Sequence, residues 1–296
     1  MENIHVSEPE CKFTCREKTF PDGSYEILIC DRPLFSERGW EYEKNSPKIR
    51  RERHTSPASP ENLARSARRA STKLRDIALC NNFQTFVTLT LDQAKIDRYD
   101  RETIVKKLQT WADNHVRRDG LRYVLVPELH KDGALHFHGF FGWACSDVKD
   151  KWLVDSGTVS VPGKKAPVKP RSEAHRKRLI AVGAQTVYNL PKWPYGFTTA
   201  IPLYGDYHAA VSYVCKYVRK QIDCSGEAGG KICKRWYFHG GCDGQPLVRL
   251  SNQAIRDFEG YPGAYRFDVP EAGLSFVRIL GKDEEDENHC WEVPHV

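Results

Sequence analysis

The stretch Pro127 to Phe141, PELHKDGALHFHGFF, decides how this chain reads. Asp132-Gly133 is a strong hairpin signal between two runs of strand character, Arg122 to Glu128 (RYVLVPE) and Ala134 to Gly142 (ALHFHGFFG). A turn centred on Asp132 sets Glu128 directly across from His136, with Cβ atoms about 5 Å apart. Side chains alternate along a strand, so His138 projects from the same face as His136, and His130 from that face of the partner strand. One sheet face thus gathers a carboxylate and two or three imidazoles. Such a set is a partial coordination sphere that leaves positions on Mg2+ or Mn2+ open for a phosphate oxygen and water. That is what a metal-assisted phosphodiester reaction needs. An isolated H-x-H is more often a pair of surface histidines, but the cross-strand Glu128 and the flanking hydrophobics favour ligation.

Working outward, Phe86 to Asp92 (FVTLTLD) alternates Val87, Leu89 and Leu91 with Thr88, Thr90 and Asp92, the pattern of a half-buried strand. Asp92 reads as structural rather than metal-binding. Upstream, Glu61 to Cys80 has helical composition, with Leu63, Ala67, Ala70, Leu74 and Ile77 on one face and basic residues elsewhere. A helix is expected over Arg101 to Arg117, a strand at Gly196 to Leu203 and a helix at Tyr207 to Ile222. The segment after Val161 reads as a Pro, Lys and Gly-rich insertion with a short helix around Ser172 to Ile180. A possible strand at Tyr25 to Cys30 and a Ser56 to Pro60 linker precede all of these. The order implies an α+β fold with helices on one side of a mainly antiparallel sheet. Three regions are expected: an extension and linker at 1–60, a central domain at 61–225, and a Cys- and Gly-containing region with an acidic tail at 226–296.

The segment Val211 to Lys220, VSYVCKYVRK, lies on the last of these helices. Val211, Val214, Val218 and Ile222 form a core-facing stripe. Tyr213 and Tyr217 are an i, i+4 pair pointing roughly 130 degrees from that stripe, and so are poorly placed as core tyrosines. Lys216 and Lys220 each follow a tyrosine by three residues, where an ammonium can stabilise a phenolate or hold a phosphate. A phenol activated in this way serves as a covalent nucleophile.

Composition bounds the rest. The chain has 296 residues, 28% of them charged, and a net charge of +6. With a mean hydropathy of −0.60, membrane proteins are excluded. The first residues show no secretory pattern, so a cytoplasmic protein is expected. Its ten cysteines are expected to be thiols. Neither Cys11 with Cys15 nor Cys224, Cys233 and Cys242 with His239 has the paired spacing of a zinc ribbon. Residues 44–79 carry ten basic and three acidic side chains, and residues 160–195 carry eight and one. Basic stretches flanking one folded region suit a polyanion such as nucleic acid. Asp283 to Glu287 is an acidic run.

Taken in order, the FVTLTLD strand, His136-Phe137-His138 and the Y-x-x-K-Y match from Tyr213 to Tyr217 resemble the HUH endonucleases, specifically rolling-circle replication initiators of small circular-DNA phages and plasmids. The resemblance spans about residues 61–225. It implies an antiparallel sheet of ferredoxin-like or RRM-like topology and an enzyme that nicks one DNA strand, forming a 5′-phosphotyrosine and leaving a 3′-OH primer. Carried onto this chain, it implies Tyr213 and Tyr217 as nucleophiles, Lys216 as their helper, and His136, His138 and Glu128 as ligands to Mg2+ or Mn2+. Glu128 stands eight residues before His136, a spacing such initiators share. Two tyrosines would allow alternate cutting and joining.

No G-x-x-x-x-G-K-[ST] stretch is present, so strand separation is expected to need a host helicase, with a host polymerase extending the primer. Single-stranded origin DNA is the expected partner, held by Arg65, Arg68, Arg69, Lys73, Arg75 and Lys220, by the 164–192 segment and by stacking on residues such as Trp193. Phage or plasmid coding would place the protein in the bacterial host cytoplasm. The competing readings are an HUH transposase or mobilisation relaxase, a non-catalytic RRM-like nucleic-acid-binding module, and a hydrolytic metalloenzyme that forms no covalent adduct.

Overall fold

The structure, a computed structural model, describes residues 12–36, 59–164, 166–224, 231–258 and 260–282. Cys11, most of the Ser56 to Pro60 linker, the basic residues from Lys44 to Arg53, and the Asp283 to Glu287 run lie outside the described residues. The chain divides into two compact units, Met1–His54 with Gln245–Val296, and Thr55–Gly244. From the start run strands β1 (Lys12–Phe13), β2 (Cys15–Thr19), β3 (Ser24–Cys30) and β4 (Phe35–Ser36). Helix α1 (Pro60–Cys80), strand β5 (Thr85–Leu91), helix α2 (Arg101–Asp119) and the strands β6 (Arg122–Leu129) and β7 (Leu135–Gly142) follow. Next come α3 (Ser146–Asp150), β8 (Val154–Ser160), α4 (Glu173–Ala181), β9 (Gln185–Asn189), β10 (Gly196–Pro202) and α5 (Tyr207–Cys224). The last strands are β11 (Phe238–Gly240), β12 (Leu247–Ser251), β13 (Ala264–Val269) and β14 (Leu274–Lys282).

In the Thr55–Gly244 unit seven antiparallel strands pair in the order β11-β6-β7-β5-β10-β9-β8. Strand β5 alternates as its sequence requires: Val87, Leu89 and Leu91 are buried, while Thr88 and Thr90 are half-buried. The apolar face takes Leu125, Phe137 and Phe141 from its neighbours and packs on Ile104, Leu108 and Trp111 of α2. These three recur at i, i+4 and i+7, one stripe of a helix. Asp100 caps the helix by accepting from the Thr103 N–H, and Gly120 closes it in the left-handed conformation.

The other face is covered by α5, whose Tyr207 ring lies 6.2 Å from that of Phe140. Its stripe of Val211, Val214 and Val218 is buried. Helix α1 packs on α5, with Ala67, Leu74 and Ile77 buried and the Tyr207 hydroxyl donating to the Ala78 carbonyl. Helices therefore flank both faces, which corrects the one-sided arrangement read from the sequence. The cause is connectivity. Strands β5 and β6 both run antiparallel to β7 and so parallel to each other, which forces α2 to cross over one face, leaving the other for α5.

Strand β9 falls within the segment expected to be irregular. A register shift between Asp155 and Thr158, with Gly157 at a φ of 74°, breaks the alternation that would have marked β8. In the other unit, five antiparallel strands pair in the order β12-β2-β3-β14-β13, so strands from both ends of the chain share one sheet. The strand expected at Tyr25 to Cys30 is the greater part of β3.

Candidate active site

The hairpin forms in the register derived from its turn, with Glu128 opposite His136 and Val126 opposite His138. Its loop closes by His130 N–H donating to the Ala134 carbonyl, Asp132 Oδ1 accepting from the Ala134 N–H, and Gly133 taking a φ of 84°. Only glycine holds that conformation without strain. Strand β7 also pairs with β5, setting Thr88 beside His138 and Thr90 beside His136. The threonine hydroxyls engage the Nδ1 atoms, at 3.1 Å for His138 and 3.3 Å for His136. Each imidazole is thereby fixed in orientation with Nε2 on the far side of the ring, as second-shell partners of metal-bound histidine do.

His138 Nε2 stands 2.7 Å from Glu128 Oε2. An ionised carboxylate only accepts, so Nε2 donates in this bond. The other oxygen, Oε1, accepts from the Lys220 ammonium. Burial by itself would raise the Glu128 carboxyl, but the bonds from His138 and Lys220 outweigh it and hold the pKa at about 2. The His136 imidazolium is disfavoured first by burial and then by its neighbours His130 and His138. His130 lies in the hairpin loop, more than half exposed, with its ring 5.1 Å from that of His136.

The tyrosine helix delivers its side chains to this cluster. The Tyr217 ring lies on the His138 ring, 4.5 Å between centroids and 13° from parallel. Phe86 stacks on the same imidazole at 6.3 Å and stands 6.0 Å from the Tyr213 ring. The two phenol hydroxyls are 2.7 Å apart, with Tyr213 about half exposed and Tyr217 half-buried. Burial, the bond to Tyr213 and the charge on Glu128 all push the Tyr217 pKa upward, so its phenol is protonated at neutral pH.

The structure thus brings Glu128, His136, His138, Tyr213 and Tyr217 together. Lys220, expected among the DNA-contacting side chains, also reaches this cluster, with its ammonium 5.9 Å from the Tyr217 ring centre. Lys216 is exposed and forms no hydrogen bond or ion pair with either tyrosine or Glu128 among the described residues. Thr88, Thr90 and Phe86 are site residues that the sequence reading passed over. The polar half of the FVTLTLD alternation carried the signal for both threonines.

On α1, Arg65, Arg68, Arg69 and Lys73 are exposed, and Arg75 is half-buried. Trp193 is not available for base stacking. It is 3% exposed, its Nε1 donates to the Thr90 carbonyl, and its ring meets Trp111 edge-on in the core. Asp92 is held in a turn, where Oδ1 accepts from the Ala94 N–H. Cys233 and Cys242 are free thiols whose pKa values burial raises to about 12 and about 11.

Among the described residues no three His, Cys, Asp or Glu side chains are closed up as a metal-ligand cluster. The donor chemistry of Glu128, His136 and His138 nonetheless fits a divalent cation. Two nitrogens and a carboxylate share one face, and the 2.7 Å between His138 Nε2 and Glu128 Oε2 is spanned by a cation lying about 2.0–2.2 Å from each.

No described helix is long and apolar enough to cross a membrane. No curated protein and no solved structure matches the chain significantly. Residues 84–222, from the start of β5 into α5 and including every residue of the cluster, match the family model of the replication-associated protein ORF2, which supports replication initiation as this chain's role.

Proposed function

We propose that the chain is a two-tyrosine HUH endonuclease that initiates rolling-circle replication by nicking and rejoining single-stranded origin DNA. The observation that carries this reading is the stacking of Tyr217 on His138, itself hydrogen-bonded to Glu128. A nucleophile and a ligand pair thereby stand within reach of a single phosphate, as the chemistry requires.

Glu128, His136 and His138 would hold Mg2+ or Mn2+, which when bound supplies Lewis-acid neutralisation of phosphate charge. A tyrosine oxygen attacks phosphorus, the Tyr O–P bond forms, and the bond from phosphorus to the departing 3′ oxygen breaks. The phenolic proton leaves and the 3′ oxygen gains one, giving the 3′-OH from which a host polymerase extends. Lys220 sits where an ammonium offsets the negative charge that accumulates near Tyr217. The bond between the tyrosine hydroxyls gives the attacking phenol a neighbour that can take its proton. The second tyrosine remains to accept the strand when the circle is closed. Exposed arginines of α1 supply backbone charge, strand separation falls to a host helicase, and the host cytoplasm is the place of action.

Incubating the protein with single-stranded DNA of its own replicon, in Mn2+ or in EDTA, tests this. The expected result is a metal-dependent protein–DNA adduct on a denaturing gel together with a fragment bearing a free 3′-OH. Cleavage without an adduct would point to a hydrolytic metalloenzyme. Tight binding with neither product would point to a non-catalytic binding module.

A further inference from the structure

A cleft of about 260 Å3 opens between α2 and the short edge strand β11 of the seven-stranded sheet. Gln109 and Asp113, one turn apart on α2, line one wall; Tyr123 of β6 forms the floor; Arg235, Tyr237 and Phe238 line the other side. Drug-sized sites run from about 300 to 1,000 Å3, so this cleft has room for one flat heterocycle and little more.

Its polar groups are unspent. Among the described residues, the side chains of Gln109, Asp113 and Arg235 form no hydrogen bond or ion pair, and the Arg235 guanidinium lies 5.9 Å from the Phe238 ring centre. The Tyr123 side chain is only 3% exposed, yet its hydroxyl has no hydrogen-bond partner among the described residues and lines the cleft. Buried polar groups are ordinarily satisfied within the protein, so an unpartnered phenol facing a cleft marks a place for a ligand atom. Burial, and then the nearby Asp113 charge, raise the Tyr123 pKa to about 12, which keeps the phenol a neutral O–H donor. The ring is held in place by Gly240: a Cβ there would come within 2.7 Å of Tyr123 Cε1.

We infer that this cleft receives an extruded guanine of single-stranded DNA, an inference that rests on the DNA-nicking reading and supplies a base-recognition site for it. Asp113 offers two acceptor oxygens, and guanine alone among the DNA bases presents two adjacent N–H donors on its Watson–Crick edge. Arg235 supplies the donors that pair with guanine O6 and N7. The Tyr123 hydroxyl and the Gln109 amide are placed for the remaining polar atoms, and Tyr237 adds an aromatic wall of the kind that unstacked bases lie against. The cleft is built on α2 and the β11 edge, whereas the tyrosines belong to α5 on the opposite face of the sheet. Reading a base and cutting the strand are thus separate tasks of one unit.

The test uses the full chain and labelled heptanucleotides, thymidine at six positions with guanine, inosine or adenine at the centre, read by fluorescence anisotropy. Inosine lacks the 2-amino group that Asp113 would accept from. The wild-type protein is expected to bind the guanine heptamer about 10-fold more tightly than the inosine heptamer. Asp113→Asn, at an exposed helix position, is expected to reduce that preference to within about 2-fold while binding the all-thymidine heptamer as before. Tyr123→Phe is expected to weaken guanine binding without altering the fold. Equal affinity of the wild-type protein for guanine, inosine and adenine would overturn the inference, as would a guanine preference that survives in Asp113→Asn. The metal-dependent adduct scores the nicking reading separately. An adduct-forming protein blind to guanine loses only the cleft, and a guanine-selective protein that forms no adduct loses only the nicking.

Discussion

Tyr217 lies flat on His138, its phenol hydrogen-bonded to Tyr213 and its ring face within reach of the Lys220 ammonium. Because His138 is joined to Glu128 on its other side, a change at any one of these four side chains is expected to be felt by the rest.

His138→Ala removes a candidate ligand and the surface on which Tyr217 rests. Metal-dependent cleavage is expected to fall at least 100-fold, with DNA binding in EDTA little changed. His130→Ala, in the exposed hairpin loop, is expected to stay within about 3-fold of wild type, in keeping with a distant partner rather than a ligand. Single-turnover cleavage assays in Mn2+ separate the two.

Thr88→Val and Thr90→Val keep shape but remove the hydroxyls that engage the Nδ1 atoms of His138 and His136. Mn2+ affinity, measured by calorimetry, is expected to drop about 10-fold for each. Unchanged affinity in both variants would mean that the threonines do not orient the imidazoles.

Lys220→Ala and Lys216→Ala discriminate between the two lysines of the tyrosine helix. Lys220 bonds Glu128 and approaches Tyr217, while Lys216 is exposed. Cleavage is expected to be slowed about 10- to 100-fold by the first and less by the second. The opposite order would return the helper role to Lys216.

The Glu128 carboxyl has a folded pKa of about 2 against an ordinary value of 4.5. A depressed carboxylate stabilises the fold fully above the unfolded pKa and loses that contribution as pH falls through the folded value, here between about 4.5 and 2. The ceiling is about 3 kcal/mol, reduced by solvent screening of the half-exposed Lys220 arm. Glu128→Gln is therefore expected to flatten the acid limb of the stability curve over that interval. His136 has the opposite bearing. Its lowered pKa means the folded state resists the proton, so its contribution turns unfavourable as pH falls below 6.5.

Trp193→Ala tests the correction made to the DNA-binding reading. With its ring in the core and its indole N–H on the Thr90 carbonyl, it is expected to cost about 3–5 kcal/mol of stability. A stable variant with selectively weakened DNA binding would restore it as a stacking residue.

The hairpin and its register were legible because Asp132-Gly133 fixes the turn and a strand has a period of two, so one turn position determines every cross-strand partner. Tyr213 and Tyr217 were legible as non-core because Val211, Val214 and Val218 define the buried side of the helix. Trp193 was misread because aromatic residues in a basic segment look alike whether they face solvent or core. Burial there is decided by α2, some eighty residues earlier, whose Trp111 meets it edge-on. The reach of Lys220 to Glu128 was hidden for the same reason, since 92 residues separate them and only tertiary packing brings the last turns of α5 over the hairpin. The sheet shared by β2, β3, β12, β13 and β14 was likewise beyond local pattern, because its strands come from opposite ends of the chain.

The central claim is that a tyrosine resting on the histidine pair attacks DNA. Peptide mass spectrometry of the adduct trapped in Mn2+ tests it most directly, run beside the Tyr213→Phe/Tyr217→Phe double variant. The account predicts a nucleotide phosphate on Tyr213 or Tyr217 in the wild-type protein and no adduct in the double variant, which still binds the same DNA. A phosphate on any other residue, or an adduct that persists in the double variant, would contradict it.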